Sequence, residues 1–380
     1  MRKHILLLLL VLILAMILGA CREASPPDGQ RVQPSQSEGF KIAYLCEGLT
    51  NYAYAADSYD RFFKEKYGND RIVAGAMPAD FEEEVMISCA MILVSDPKVK
   101  VFIMNPVIPG TVDNIFETIR KECPEILLVG CSMSEIEEAS DTADLAIAID
   151  DLADGINIPK QAQKMGAKAF VHYSVPWHMT NPVLAKQRDL MRETCDDLGI
   201  AFIENDLLDP MEGHSAADVC QFMINDVSQK VAKYGRDTNF FSTATSFQGE
   251  LIKAILDTGA IFAREYEPNQ YISYAHVFLA DDDDIKWTNE QIHLGIEEKG
   301  GTGRFSTWPI PYNLLFPDAA IKYGLAYGEG KAPQKVDKEF FIRCLQESME
   351  DFGYGDYEVH VNMAEGTDNY FLVTEDYITY

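Results

Sequence analysis

The sequence lacks the short motifs by which most catalytic and metal centres are recognised. It has no Cys-x-x-Cys, no Cys/His cluster with zinc spacing, no Gly-x-Ser-x-Gly elbow, no His-Glu-x-x-His and no Walker loop. Basic residues are also scarce, with Lys+Arg 32 against Asp+Glu 60 and a formal net charge of −28. This balance argues against nucleic acid as a partner. We therefore expect no metal, no cofactor and no enzyme.

Cysteine is too sparse and too irregularly spaced for a disulfide scaffold. The chain has 8 cysteines, and setting Cys21 apart leaves an odd number. Cys46 and Cys131 lie near the ends of predicted strands, so either one with His178 is a conceivable nucleophile and base. No second histidine or acidic residue stands at a motif spacing beside them, which leaves the enzyme interpretation the weaker alternative.

The first residues predict export. Arg2 and Lys3 precede the uncharged run Ile5–Leu18, which ends in Leu-Gly-Ala-Cys21. This pattern is typical of a secretory signal peptide, and the cysteine resembles the lipobox of bacterial lipoproteins. The resemblance implies a signal peptide over residues 1–20, a diacylglyceryl group on Cys21 and a location on the extracytoplasmic face of the cell membrane. The alternative is an uncleaved anchor, but the run is short for a span of about 20 residues.

After a Pro-, Ser- and Gly-rich tether over residues 21–39, strands and helices alternate. The stretch Asp96–Ile119 shows the unit, with an apolar strand ended by Asn105-Pro106 and then a helix with one apolar face. Five such strands fill residues 40–150, and the alternation begins again over residues 151–280, including an expected strand at Tyr271–Leu279. The predicted fold class is α/β, with two doubly wound parallel-sheet lobes joined by a multi-strand hinge.

These features together resemble type I periplasmic binding proteins, the ribose-binding and basic-membrane-protein-like receptors of ABC importers. The residues behind the resemblance are the lipobox, the segment Lys100–Pro106 as the third strand, and a strand, proline, helix and Gly-Glu-Gly-Lys331 near the end. The resemblance implies that residues 302–330 return to the first lobe, whereas we assign residues 331–380 to the second. We expect hinge crossovers near Asp150, Asp281 and Lys331. The chain also resembles an uncharacterised lipoprotein family on this fold.

The resemblance implies a monomeric receptor, anchored to the membrane by lipid, that captures a small polar ligand such as a sugar or nucleoside for an ABC transporter permease. The chain lacks an obvious pairing of Asp and Arg around a sugar, which weakens the case for a pentose or hexose. A sensing module that presents its ligand to a membrane receptor would have the same fold. A transcriptional regulator is disfavoured because an export signal stands where a DNA-binding head would be.

Ligands of open α/β sheets bind beyond the carboxyl ends of the strands. Polar side chains there can fix a polar ligand, and aromatic rings can stack on it. Simpler roles stay open: several of these residues can cap helices, the tryptophans can pack at the hinge, and His178 can be an ordinary surface histidine. Asn181 before Pro182 is expected to be a cap. The predicted ligand-binding residues are Thr50, Asn51, Tyr52, Asn105, Ser132, Ser174, Trp177, His178, Thr245, Phe247 and Trp308.

Overall fold

The computed structural model describes residues 39–46, 61–78, 82–108, 110–132, 141–278 and 288–380. Phe40–Tyr380 forms one compact unit. The predicted signal peptide, tether and Cys21 lie outside the described residues and stay predictions. Within the described ranges, no helix is long and apolar enough to span a bilayer.

The elements alternate along the chain as an α/β fold requires. The strands are β1 Lys41–Cys46, β2 Ile72–Ala76, β3 Val99–Asn105, β4 Leu127–Cys131, β5 Leu145–Ile149, β6 Ala169–Ser174, β7 Ala201–Asp206, β8 Thr238–Ser242, β9 Ser306–Thr307, β10 Val359–Met363, β11 Tyr370–Glu375 and β12 Ile378–Thr379. The helices are α1 Glu83–Val94, α2 Val112–Glu122, α3 Asp151–Lys164, α4 Pro182–Leu198, α5 Ala216–Tyr234, α6 Gln248–Thr258, α7 Gln270–Ser273, α8 Ala275–Phe278, α9 Asn289–Glu298, α10 Tyr312–Gly328 and α11 Lys338–Asp351. Residues 61–67 are also helical.

The first lobe is a seven-stranded sheet in the order β10-β11-β5-β4-β3-β1-β2. Its strand pairs are parallel except for the antiparallel pair of β10 and β11. Helices α1 and α2 bury residues such as Met86 and Phe116 on one face of the sheet. Helices α10 and α11 bury Leu315 and Phe341 on the other face. Burial on both faces explains why the central strands are continuous apolar runs rather than alternating ones.

The second lobe is built on the parallel three-stranded sheet β7-β6-β8. Isolated parallel bridges at Ile261 and Phe262 extend it beyond β8. Helices α3 and α4 cover one face, where Met191 packs with Phe170. Helices α5 and α6 cover the opposite face, where Leu251 lies in the core. The predicted fold class is thus confirmed.

The chain crosses between the lobes at three places. The first crossing is at Asp150, between β5 of the first sheet and α3 of the second lobe. The second runs from β9 to Ile310, which packs in the core of the first lobe. The third lies between Glu375 at the end of β11 and β12, which pairs with β9. The crossing at Asp150 is where we expected it, the crossing expected near Lys331 is wrong because the helices on both sides of it pack in the first-lobe core, and Asp281 lies outside the described residues.

Two further expectations need correction. Residues 331–380 do not join the second lobe as a block, because β11 hydrogen-bonds to β5 in the first sheet and only the last few residues return to the second lobe. The segment predicted as a strand at Tyr271–Leu279 instead contains the short helices α7 and α8. A short apolar run does not distinguish a buried strand from a buried helix, and here packing of Tyr274 into the second core decides.

Candidate functional site

The carboxyl edges of the two parallel sheets meet at the junction of the lobes. β5 ends at Ile149, and the chain passes through Asp150 directly into α3. Because α3 runs back toward the amino end of β6, its first turn lies beside the carboxyl edge of the second sheet. This topology places the ends of β1–β5 opposite the ends of β6–β8 across one cleft, where binding sites of open α/β sheets occur.

Asn105 and Ser132 lie together on the wall formed by the first lobe. The Asn105 amide donates to the hydroxyl of Tyr44 at 3.0 Å, and its oxygen accepts from the Ser132 hydroxyl at 3.1 Å. Asn105 is 4% exposed, so its role is to hold the side chains of Tyr44 and Ser132 in position. Ser132 has a φ of 60°, a left-handed conformation that is uncommon outside glycine. Thr50, Asn51 and Tyr52 lie outside the described residues and stay predictions.

Trp177 and His178 form a ridge on the wall of the second lobe, in the 3₁₀ turn Pro176–Thr180 that follows β6. Their rings meet edge to face with centroids 4.1 Å apart, and the indole of Trp177 is 49% exposed. Nδ1 of His178 forms a 2.8 Å hydrogen bond with the Thr243 hydroxyl. Partial burial lowers the pKa of His178, so the imidazole is neutral at pH 7 and suits a polar contact rather than a charge.

The other predicted residues of this wall differ in exposure. Thr245 and Phe247 occupy the partly exposed 3₁₀ turn between β8 and α6. Ser174 is 2% exposed and donates to the carbonyl of Val175, so it stabilises the end of β6. Asn181 caps α4 by accepting from the Val183 amide at 2.8 Å, as the sequence predicted.

Gln248, the first residue of α6, directly follows the 3₁₀ turn that contains Thr245 and Phe247. It is 5% exposed, and neither polar atom of its side-chain amide has a hydrogen-bond partner in the described part of the chain. Buried amides are normally paired, so an unpaired one at the carboxyl edge offers a donor and an acceptor to a ligand.

Trp308 lies at the hinge but is fully buried, so the expectation that it lines the cleft needs correction. The guanidinium of Arg264 lies over its ring at 4.8 Å from the centroid. Arg264 is itself fully buried and forms an ion pair with Asp154 at 2.6 Å. Its remaining nitrogens donate to the carbonyls of Glu265 and Tyr266 at 2.7 and 2.8 Å. This cluster joins α3 to the second crossing, and it was missed because its members are distant in sequence.

The conceivable cysteine nucleophiles are unsuited to that role. Cys46 and Cys131 are both buried thiols, and the Cys46 thiol donates to the carbonyl of Gly75 at 3.5 Å. Burial raises the pKa of Cys131 well above its ordinary value, whereas a nucleophilic cysteine needs a lowered one. His178, their proposed base, bonds to Thr243 on the second lobe. Over the described ranges, no group of His, Cys, Asp and Glu is arranged to hold a metal ion.

Two parallel-sheet lobes joined by three crossings, with polar ends facing one cleft, define the type I periplasmic-binding-protein-like class. The comparisons agree with this class. A solved structure from Bordetella parapertussis 12822, described as a substrate-binding protein of a sugar ABC transport system, is 11% identical with a TM-score of 0.54, covering 90% of this chain and 89% of that one. A candidate transcriptional regulator from Clostridium difficile 630 is 20% identical with a TM-score of 0.75, covering 90% and 99%. At these identities the likeness shows the fold alone.

The chain belongs to the family described as "Protein of unknown function (DUF3798)", whose model matches residues 40–306. An uncharacterised protein of Treponema pallidum (strain Nichols) is 32% identical over 170 residues, which are 44% of this chain and 78% of that protein. The resemblance to an uncharacterised family on the periplasmic-binding-protein fold is thereby confirmed.

Proposed function

We propose that this protein is a lipid-anchored, extracytoplasmic solute receptor that captures a small polar ligand in the cleft between its lobes and delivers it to an ABC importer. The observation that carries the proposal is that the carboxyl edges of the two sheets meet at the junction where the chain crosses three times between the lobes. A binding protein needs a concave site with a few polar groups and some apolar surface. Here His178 and Gln248 supply polar groups, Asn105 positions the Ser132 hydroxyl at 3.1 Å, and Trp177 supplies an exposed ring.

The fold neighbours support this role without specifying the ligand. The Bordetella protein is described as the substrate-binding component of a sugar transport system. The same architecture in this chain supports capture by closure of the lobes about their hinge. The polar groups described above are neutral amides, hydroxyls and an imidazole, which suit a sugar, a nucleoside or a similar molecule.

Ligand capture can be tested on the mature chain purified from its own membranes in mild detergent. Native mass spectrometry should show a bound small molecule in one-to-one stoichiometry, and denaturation should release it for identification. Trp177→Ala should lower the occupancy at least about tenfold, because an aromatic contact and its buried area are lost. Leu294→Ala, which removes a 56% exposed side chain on α9, is the matched control. A chain that never contains a bound molecule would contradict the receptor proposal.

Anchoring is tested separately at Cys21. Metabolic labelling with a palmitate analogue should mark the wild-type chain and leave Cys21→Ser unlabelled, and the variant should leave the membrane fraction. Retention of the label in Cys21→Ser would contradict lipidation at this residue. Chemical crosslinking in cells should then capture an ABC permease, whereas capture of a receptor kinase would favour the sensing role.

A further inference from the structure

The segments that follow β1–β8 in the sequence contain neither lysine nor arginine. The chain has 32 of these residues, so segments of this total length would be expected to contain several. Between each strand and the next helix or strand, the segments without a basic residue are 47–60, 77–82, 106–111, 132–144, 150, 175–181, 207–215 and 243–247. Among the described residues of these connections, no basic side chain lies at the carboxyl edges.

Arg264 is the basic residue that follows the bridge extending the second sheet beyond β8. Its side chain is fully buried, and Asp154, also fully buried, neutralises it at 2.6 Å. Trp308 covers the face of the guanidinium, and two backbone carbonyls accept from its other nitrogens. The guanidinium of Arg264 therefore has its partners within the junction and does not present a charge to a ligand.

Several basic residues lie instead at the opposite edges, where the parallel strands begin. Lys41 opens β1 and pairs with Asp96 at 2.7 Å, and Lys168 precedes β6 and pairs with Asp237 at 3.4 Å. The carboxyl side of the second sheet has exposed acidic groups, including Asp206 at the end of β7. Each of these two lysines is thus balanced by a carboxylate at its own edge, whereas the carboxyl side of the second sheet presents exposed carboxylates.

Apolar surface and a neutral amide complete the carboxyl edges. Trp177, Met211 and Leu152 are 49%, 79% and 42% exposed, and they lie in the turns after β6 and β7 and in the first turn of α3. Gln248 is 5% exposed, with its amide unpaired among the described residues. Solvent-exposed large apolar side chains and an unpaired buried amide at the same edge of one sheet indicate surface that a bound molecule covers.

We infer that the cleft takes a ligand with no net negative charge, neutral or cationic at pH 7, that places an apolar or ring face on Trp177. An anion would lose hydration on entering the cleft without gaining a basic partner from the connections that follow the strands, and nearby carboxylates would repel it. A cation would gain from the same carboxylates and from the indole face. A neutral ligand would use the Gln248 amide. This inference rests on the proposed receptor function and specifies its ligand class.

The test uses the small molecules of a bacterial extract, separated by charge at pH 7. Material below about 1 kDa is divided on strong anion- and cation-exchange resins into an anionic, a cationic and an unretained neutral fraction. The mature chain, dialysed until free of bound ligand, is melted with each fraction at equal concentration. The neutral or cationic fraction should raise the melting temperature by at least about 3 °C, as expected for a ligand well above its dissociation constant. The anionic fraction should leave it unchanged.

The variants assign the shift to the cleft. Trp177→Ala should reduce the shift at least about twofold, whereas Leu294→Ala should retain it. A shift with the anionic fraction that Trp177→Ala reduces would overturn the charge assignment while leaving the receptor function intact. No shift with any fraction would overturn both. A shift that both variants retain would place the site away from this edge and overturn the inference.

Discussion

Replacing Arg264 with leucine tests whether the buried ion pair holds the junction together. The guanidinium contacts Asp154 on α3 at 2.6 Å and lies 4.8 Å from the centroid of Trp308 at the second crossing. Leucine removes the charge and the hydrogen bonds to the carbonyls of Glu265 and Tyr266. The carboxylate of Asp154, which is fully buried, then has no counter-charge.

The expected loss is large because an uncompensated buried charge is costly. Removing one partner of a buried ion pair destabilises proteins by about 3–5 kcal/mol. Loss of the contact with Trp308 is included in that range, since a desolvated cation–π contact is worth about 2 kcal/mol. We expect the free energy of unfolding of Arg264→Leu to fall by about 3–5 kcal/mol at pH 8. This is a large share of the stability of an ordinary domain.

The loss should grow with pH, and the sign follows from Asp154. Burial raises the pKa of Asp154 from 3.8 to about 6, although the Arg264 guanidinium opposes this rise. When the pKa of a carboxyl is higher in the folded than in the unfolded protein, the free energy of unfolding falls as pH rises between those two pKa values. Without Arg264 the folded pKa rises further, so the window extends upward. Between the Asp154 pKa of the wild type and the higher pKa of the variant, the free energy of unfolding of the variant falls by about 1.4 kcal/mol per pH unit relative to the wild type.

Urea denaturation at pH 6 and pH 8 measures both effects. The control is Arg192→Leu, because Arg192 is 39% exposed and its pair with Asp189 at 3.0 Å should contribute less than about 1 kcal/mol. The double variant Asp154→Leu/Arg264→Leu should recover part of the loss, since no charge is left unpaired. The junction does not depend on the pair of Arg264 and Asp154 if Arg264→Leu lowers the free energy of unfolding no more than Arg192→Leu does. The same holds if the loss in Arg264→Leu is equal at both pH values.

Three further outcomes follow from the structure. Gly155→Ala should lower the free energy of unfolding by about 1–3 kcal/mol, because its Cβ would lie 2.9 Å from the Gln187 carbonyl of α4. Lys160→Ala on the same helix is the control and should change the free energy of unfolding little. Equal losses in the two variants, measured by denaturation, would contradict the close approach of the helices at Gly155. Asn105→Ala should weaken binding of the co-purified ligand at least about tenfold by calorimetry, and unchanged affinity would remove it from the site. Burial raises the pKa of Glu265 to about 7, so stability falls as pH rises toward 7; Glu265→Gln should flatten the melting temperature between pH 5 and pH 7, and an unchanged slope would contradict this.

The first lobe could be predicted from the sequence because its signals are local. The strands that become β1, β3 and β5 are continuous apolar runs, and burial on both faces explains that composition. The ends of helices were indicated by capping residues, which bond to backbone amides only a few positions away in the sequence. Asp337 caps α11 by accepting from the Phe340 amide at 2.9 Å, as expected from its position before an apolar stripe.

The end of the chain could not be placed because its partners are distant. β11 reads as an ordinary terminal strand, and its pairing with β5 joins Tyr370 to the register of Ala146. Nothing within a few residues of β11 distinguishes a partner in the first sheet from one in the second. For the same reason the crossover expected near Lys331 was wrong, since α10 and α11 on either side of it both pack in the first-lobe core.

The ligand-binding residues stay predictions, and their derivation from the sequence has the same limit. Strand ends give positions, so Asn105, Trp177 and His178 could be proposed for the cleft from local pattern alone. Local pattern does not give depth, and Trp308 is fully buried under Arg264. The pairing of Arg264 with Asp154 spans more than a hundred residues of sequence, so no motif spacing could reveal it.

The junction and the cleft use polar groups in opposite ways, and this separates stability from binding. At the junction, Arg264 is satisfied by Asp154 and by backbone carbonyls, so its replacement should unfold the free protein more readily. At the cleft, the indole of Trp177 is half exposed and the Gln248 amide is unpaired, so they contribute little to the stability of the free protein. Junction variants should therefore lower the melting temperature with or without ligand. Trp177→Ala should lower only the increment that the ligand adds, because surface that is already wet has little folding energy to lose.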